Sequence, residues 1–423
     1  MEDVDEARSD SPRPISRRAL LAGGAVAIGG AVLHTAADAL SQVPRGTGPQ
    51  DAPDPTRVQG APASPRGARA PSVESARVPV ARGQVSFTPI QDLDGIITPA
   101  DLHFERHHAG IPAIDPDEYR LVIHGMVERP TSFSLADLER FPRRSHLGFV
   151  ECSGNGGSGF NGSNPELSPQ VVDGLFSNSE WVGVPLSTLL AEVGVDPAAT
   201  WILAEGSDAA VMTRSIPMDK AMDDALVAYG QNGEPIRPAQ GFPARLVLPG
   251  WEGNAQVKWL RRLEVGDGPW MGREETAHYT DPMRDGTARM FTLVMDPKSI
   301  ITFPAFPAVL PEDGWWEITG LAWSGRGAVE RVEISTDGGD TWTEARLEDP
   351  VLPRCGTRFR HAWRWDGSET VLQSRAVDET GAVQPTHDEF LEQRGPGTRY
   401  HYNHIRGWRV TADGSVLYDA RGA

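Results

Sequence analysis

Gln240-Gly241-Phe242-Pro243-Ala244-Arg245-Leu246-Val247-Leu248-Pro249-Gly250-Trp251-Glu252-Gly253-Asn254-Ala255-Gln256-Val257-Lys258-Trp259-Leu260 sets two cations among glycines and short apolar runs. Ala244 to Pro249 reads as a short apolar strand, and Arg262-Leu263-Glu264-Val265 follows it as another. Arg245 and Lys258 stand beside glycines, where backbone can pass close to a bulky ligand. Arginine forks and lysine point charges next to such backbone suit a phosphate-bearing cofactor. Any one such cluster alone also fits a solvated face.

Upstream, Tyr119-Arg120-Leu121-Val122-Ile123-His124-Gly125 alternates and ends at glycine, as a strand does. Ser134-Leu135-Ala136-Asp137-Leu138-Glu139-Arg140 carries a serine cap and helical spacing, and a second helix is expected over 184–193. Helices and strands mix without regular βαβ alternation, so residues 86–297 are expected to form an α+β domain. Downstream, Trp316 to Trp323, Val329 to Ser335 and Val371 to Val377 alternate with period two, and Asp337-Gly338-Gly339-Asp340 supplies a hairpin turn. Residues 298–423 are therefore expected to form an all-β immunoglobulin-like sandwich.

The other end of the chain reads as an address. Ser16-Arg17-Arg18 opens an apolar run from Ala19 to Leu33 that is too short and glycine-rich to span a bilayer, and Ala37-Asp38-Ala39 offers a cleavage site. Residues 1–39 are expected to be a twin-arginine export signal, which places the mature protein in the periplasm or otherwise outside the cytoplasm, with no membrane span. Residues 40–85, rich in proline, alanine, glycine, serine and arginine, are expected to be a disordered tether. The 423-residue chain carries a net charge of -18 and no basic block, which argues against nucleic acid and anionic membranes and would suit a basic protein partner.

Two cysteines exclude a disulfide framework. Cys152 sits in Phe149-Val150-Glu151-Cys152-Ser153-Gly154-Asn155-Gly156-Gly157, where a thiolate can be nucleophile, metal ligand or redox sulfur. His103, His107, His108, His124 and His146 leave a thiol hydrolase open. Cys355 lies in a connection without a second cysteine or a Cys-x-x-Cys-His run, so it reads as structural and no haem is expected in this chain.

Taken in order, these motifs resemble the sulfite oxidase family of mononuclear molybdenum enzymes. The match comprises Arg106-His107-His108, Cys152-Ser153-Gly154-Asn155, Asn232-Gly233-Glu234-Pro235, Gly241 to Arg245, Pro249-Gly250-Trp251 and Val257 to Leu260. The resemblance implies that 86–297 is a molybdopterin-binding catalytic domain and 298–423 a dimerisation domain. It implies a molybdenum–molybdopterin cofactor with Cys152 as thiolate ligand to the metal, Arg106 facing substrate and His108 near the pterin. Arg245 and Lys258 would hold phosphate and pterin, helped by amides around Asn254 to Val257. Tyr279 stands where the family keeps an active-site tyrosine, and Arg394 matches its late substrate-pocket arginine. A non-catalytic relative that has lost its cofactor is the reading least compatible with retention of these residues together.

The sequence departs from sulfite-specific members at Gly156 and Gly157, where they carry arginines, and at Gln240, where they carry histidine. Removing a cation there is expected to open the pocket and to weaken binding of a small free dianion by about 1.5–3 kcal/mol, as loss of a charge-assisted contact does. These features, with Glu151, Gly250 to Asn254 and Gly320 to Gly327, resemble the family's sulfane dehydrogenase branch. That branch implies oxidation of sulfane sulfur carried on a protein cysteine, a separate c-type cytochrome as acceptor, and a homodimer or a heterotetramer with the cytochrome. Free sulfite is the alternative substrate.

Overall fold

The computed structural model describes residues 75–79, 84–395 and 397–422, all within one compact unit, Ser72–Ala423. The expected export signal and most of the expected tether lie outside the described residues. Within the tether, however, Val78–Pro79 pairs antiparallel with Val85–Phe87, which in turn pairs with Glu105–Arg106. Ordered chain thus begins earlier than residue 86. Phe87 is buried, and Arg77 forms an ion pair with Glu105, so this stretch has both an apolar anchor and a charge partner.

The first region holds two five-stranded sheets. One runs Glu234–Pro235, Leu226–Gln231, Phe176–Pro185, Arg144–Glu151, with Arg245–Val247 also paired to Leu226–Gln231. The other runs Thr131–Phe133, Leu121–Gly125, Leu260–Gly266, Trp201–Gly206, Thr213–Pro217, and its one parallel pair is Leu121–Gly125 with Leu260–Gly266. Leu121, Ile123, Leu246 and Leu263 share a core with helix Leu186–Val193, which presents Leu186, Leu189, Leu190 and Val193 inward. Val184 and Pro185, expected to open that helix, instead end the preceding strand. Helix Leu135–Arg140 carries a capping box between Ser134 and Asp137.

The second region is a β-sandwich, as its period-two runs require. A four-stranded sheet orders Lys298–Phe303, Gly314–Trp323, Thr357–Trp365, Arg346–Leu347. A five-stranded sheet orders Thr343–Glu344, Val329–Ser335, Thr370–Asp378, Gly407–Val410, Val416–Asp419. The turn after Ser335 needs Gly338 and Gly339 because both have positive φ, 76° and 103°. The sandwich core is not sealed from the first region: Trp323 packs on Phe176 with centroids 4.2 Å apart, and Phe149 joins the same cluster.

Candidate active site

Strand Arg144–Glu151 delivers Cys152 to a half-open cleft lined by both apolar and charged side chains. The turn after the strand is held by Asn155. Its amide donates to Cys152 O (2.9 Å), its Nδ2 to Glu151 Oε1 (2.9 Å), and its Oδ1 accepts from Leu175 N (2.9 Å). Those three bonds explain the spacing between cysteine and asparagine. Gly253 N donates to Glu151 O (2.6 Å), and a Cβ at Gly253 would lie 2.9 Å from that oxygen, so only glycine permits the approach.

Arg106, His108, Cys152, Arg245, Lys258 and Tyr279 all line this cleft. Lys258 Nζ contacts Arg106 O (3.0 Å), Ala239 O (3.0 Å) and His107 Nδ1 (2.8 Å), all uncharged. Arg245 donates to Gln240 O (3.0 Å) and Gln256 O (3.1 Å), its Nε has no hydrogen-bond partner among the described residues, and its guanidinium lies 4.8 Å from the Trp181 ring centroid. Burial pulls the Arg245 pKa down to about 9 and, with the Arg245 charge added, holds Lys258 well below the usual ammonium range. Among the described residues, Asp208 is the one carboxylate lining the cleft, against three cations. Buried cations served mainly by neutral acceptors call for an anionic ligand.

That is a fit to a phosphate-bearing pterin. Among the described residues there is no group of three or more His, Cys, Asp or Glu side chains able to hold a metal. A metal at Cys152 therefore takes most of its ligands from a cofactor rather than from side chains. Burial raises the Cys152 thiol pKa, which holds the free thiol protonated.

The hydrolase reading fares worse. His107 Nε2 contacts Glu105 (3.0 Å), His103 Nδ1 faces Phe104 O (3.0 Å), and His108 Nε2 bonds Tyr279 Oη at 2.8 Å. Among the described residues no imidazole is hydrogen-bonded to the Cys152 thiol, so the nucleophile–base contact is missing. Burial lowers the His107 and His108 pKa values to about 4, so both are neutral near pH 7.

Three expectations need correction. Arg394 does not line the cleft; it is buried between Asp281 (3.4 Å) and Asp296 (3.1 Å), on helix His387–Arg394, facing a separate groove. Gly156 and Gly157 do not widen the cleft. A Cβ at Gly156 (φ +96°) would lie 2.2 Å from Arg406 Nη2, and one at Gly157 would lie 3.1 Å from the Tyr402 ring. These glycines admit the chain from Tyr400 to Arg406, where His401 N donates to Ser153 O (2.7 Å). Nor is there a ring of free amides after Asn254: those of Ala255, Gln256 and Val257 donate within their own loop (3.1, 3.2 and 3.1 Å). Gln240 does line the cleft, its amide donating to Phe104 O (2.8 Å).

Cys355 is buried, receives a contact from Asn178 Nδ2 (3.1 Å) and has its pKa pushed up to about 11 by burial, as a structural thiol does. The residues that sequence reading missed arrive from far along the chain. Lys298 binds Glu151 (3.1 Å) and Asp173 (2.6 Å), Arg406 binds Asp173 (2.5 Å), and Trp323 Nε1 donates to Glu151 (2.6 Å). Glu151 was in the Cys152 motif and was the one signal available.

Comparison with known proteins agrees with this geometry. Residues 108–273 match the oxidoreductase molybdopterin binding domain, and residues 289–406 the Mo-co oxidoreductase dimerisation domain. Mitochondrial sulfite oxidase of Mus musculus is 33% identical over 324 residues, which cover 69% of this chain and 58% of that protein. A Solanum lycopersicum nitrate reductase is 31% identical over 336 residues, covering 69% and 36%. The chain thus spans little more than half, or about a third, of these relatives' own lengths. The crystal structure of the sulfane dehydrogenase SoxCD from Paracoccus pantotrophus aligns with a TM-score of 0.79 at 45% identity, covering 87% of this chain and 99% of that one. The chain belongs to the sulfite oxidase family of molybdenum enzymes, with a molybdopterin-binding α+β domain followed by the family's β-sandwich dimerisation domain.

Proposed function

We propose that this protein oxidises sulfane sulfur carried on a protein cysteine and passes the electrons singly to a c-type cytochrome. The observation that carries the reading is the 45% identity to SoxCD over nearly the whole of the matched chain, with Cys152 and three cations around one cleft. The bound molybdenum–molybdopterin supplies the oxygen-atom and electron chemistry. Arg245 and Lys258 hold its anionic group, and Cys152 ligates the metal. Arg106 sets a fixed positive charge at the cleft, which stabilises an anionic substrate or product without reorganisation.

Tyr279 and His108 handle a proton. Burial raises the Tyr279 pKa, so the phenol stays protonated, and its Oη lies 2.8 Å from Nε2 of neutral His108. His108 is partly exposed and relays a proton between cleft and solvent. The second domain pairs two copies, and export through residues 1–39 places the enzyme with a cytochrome partner. Free sulfite is the second reading, supported by the identity to mouse sulfite oxidase.

Steady-state kinetics separate the two. Holoenzyme with cytochrome c as acceptor is expected to turn over a carrier-bound persulfide with a kcat/KM well above that for sulfite. Rapid sulfite turnover with no response to the persulfide carrier would defeat the sulfane reading.

A further inference from the structure

Arg214 belongs to none of the groups assigned above. It lies on strand Thr213–Pro217, is 1% exposed, and among the described residues its Nε and Nη1 make no hydrogen bond. Its guanidinium carbon stands 5.4 Å from the centroid of the Tyr279 ring. Nη2 pairs with Glu252 Oε1 (3.2 Å) and Nε faces Glu275 Oε1 (3.7 Å). Both carboxylates are themselves fixed. His401 Nε2 contacts Glu252 Oε2 (3.3 Å), and Glu275 accepts from Ser215 N, Ser215 Oγ (3.1 Å) and Gly272 N (2.9 Å).

Tyr279 needs such support. Its φ is +43°, in the left-handed region that costs a residue with a bulky side chain, and it sits in a turn after the short helix Arg273–Thr276. His108 holds its hydroxyl and the Tyr400 ring lies 5.1 Å from its own, but only Arg214 among the described cations lies over its ring. A buried guanidinium 5.4 Å from a phenol ring centroid is within cation–π range.

We infer that Arg214 is a positioning residue: held by Glu252 and Glu275, it clamps the ring of Tyr279 so that the hydroxyl meets His108 in the Cys152 cleft. The inference rests on the proposed role of Tyr279, and its test is independent of which sulfur compound is the substrate.

Site-resolved nitration of the holoenzyme by tetranitromethane, read by peptide mass spectrometry, tests it. In Arg214→Gln, nitration of Tyr279 is expected to rise about 3–30-fold, the range corresponding to loss of one cation–π contact. Half-buried Tyr229, which does not line the cleft, reports general loosening and is expected to react as in wild type. In kinetics the variant is expected to lose kcat with KM little changed. If Arg214→Gln does not accumulate folded, Arg214→Lys carries the test, since an ammonium keeps the charge but cannot lie flat on the ring while facing both carboxylates. Tyr279 as protected as in wild type, in whichever variant folds, overturns the inference. A rise at Tyr279 and Tyr229 alike overturns it too, because the role is then merely structural.

Discussion

At the scale of single residues, Lys258 carries two opposed effects. It is half-buried among neutral acceptors beside Arg245 and Arg106, so it burdens the cofactor-free fold while favouring an anionic ligand. Lys258→Met is therefore expected to leave the cofactor-free protein as stable as wild type or more so. The same change should cost about 1.5–3 kcal/mol of charge-assisted cofactor binding. Pterin released on denaturation, set against the unfolding midpoint of cofactor-free protein, measures the two signs together. Cys152 presents the same logic: the fold buries the thiol and raises its pKa, a poor setting for a free nucleophile and a sensible one for a ligand that deprotonates on coordination.

Among elements, strand Lys298–Phe303 does more than open the second domain. Lys298, 2% exposed, reaches back to Glu151 and Asp173, so the residue just before Cys152 is neutralised by a cation 147 positions away. Lys298→Met leaves two buried carboxylates with Arg406 as the nearest remaining cation for Asp173, and is expected to destabilise by about 3–5 kcal/mol in chemical denaturation. Much of this level was legible in the sequence. Period-two runs located the strands Gly314–Trp323, Val329–Ser335 and Thr370–Asp378, and the Ser134 cap located its helix, because local patterning decides both. The site was legible where the chain carries it in contiguous motifs: Arg106, Cys152, Arg245 and Lys258 meet as read. It was not legible where distant segments meet. Arg394 went astray because Asp281 and Asp296, far away in sequence, claim its guanidinium. Gly156 and Gly157 were misread because Tyr402 and Arg406, which fill the space beside them, come from a segment some 250 positions on. Arg214 gave no signal at all, since a lone arginine on a strand has no motif.

For the whole molecule, pH and location follow from the same groups. Burial holds His103 near a pKa of about 3 and His107, His108 and His146 near about 4, each below the ordinary imidazole value of 6.5. Between about pH 6.5 and 4 the unfolded chain binds protons that the folded chain refuses, so stability falls as the pH falls through that window. The melting temperature of the protein is expected to drop steadily from pH 6.5 to pH 4. His146→Gln should flatten part of that slope, because His146 lies outside the cofactor cleft. A melting temperature that rises on acidification would contradict the assignment of these rings as neutral. Export is tested in cells: replacing Arg17 and Arg18 by lysine should leave full-length precursor in the cytoplasm, read by fractionation and N-terminal sequencing.

Absorption at the molybdenum K edge tests the proposal that Cys152 is a sulfur ligand of a pterin-held molybdenum. Cys152→Ser protein that still contains molybdenum is predicted to have one sulfur neighbour fewer at the metal than wild type. An unchanged sulfur count in the variant would contradict the claim.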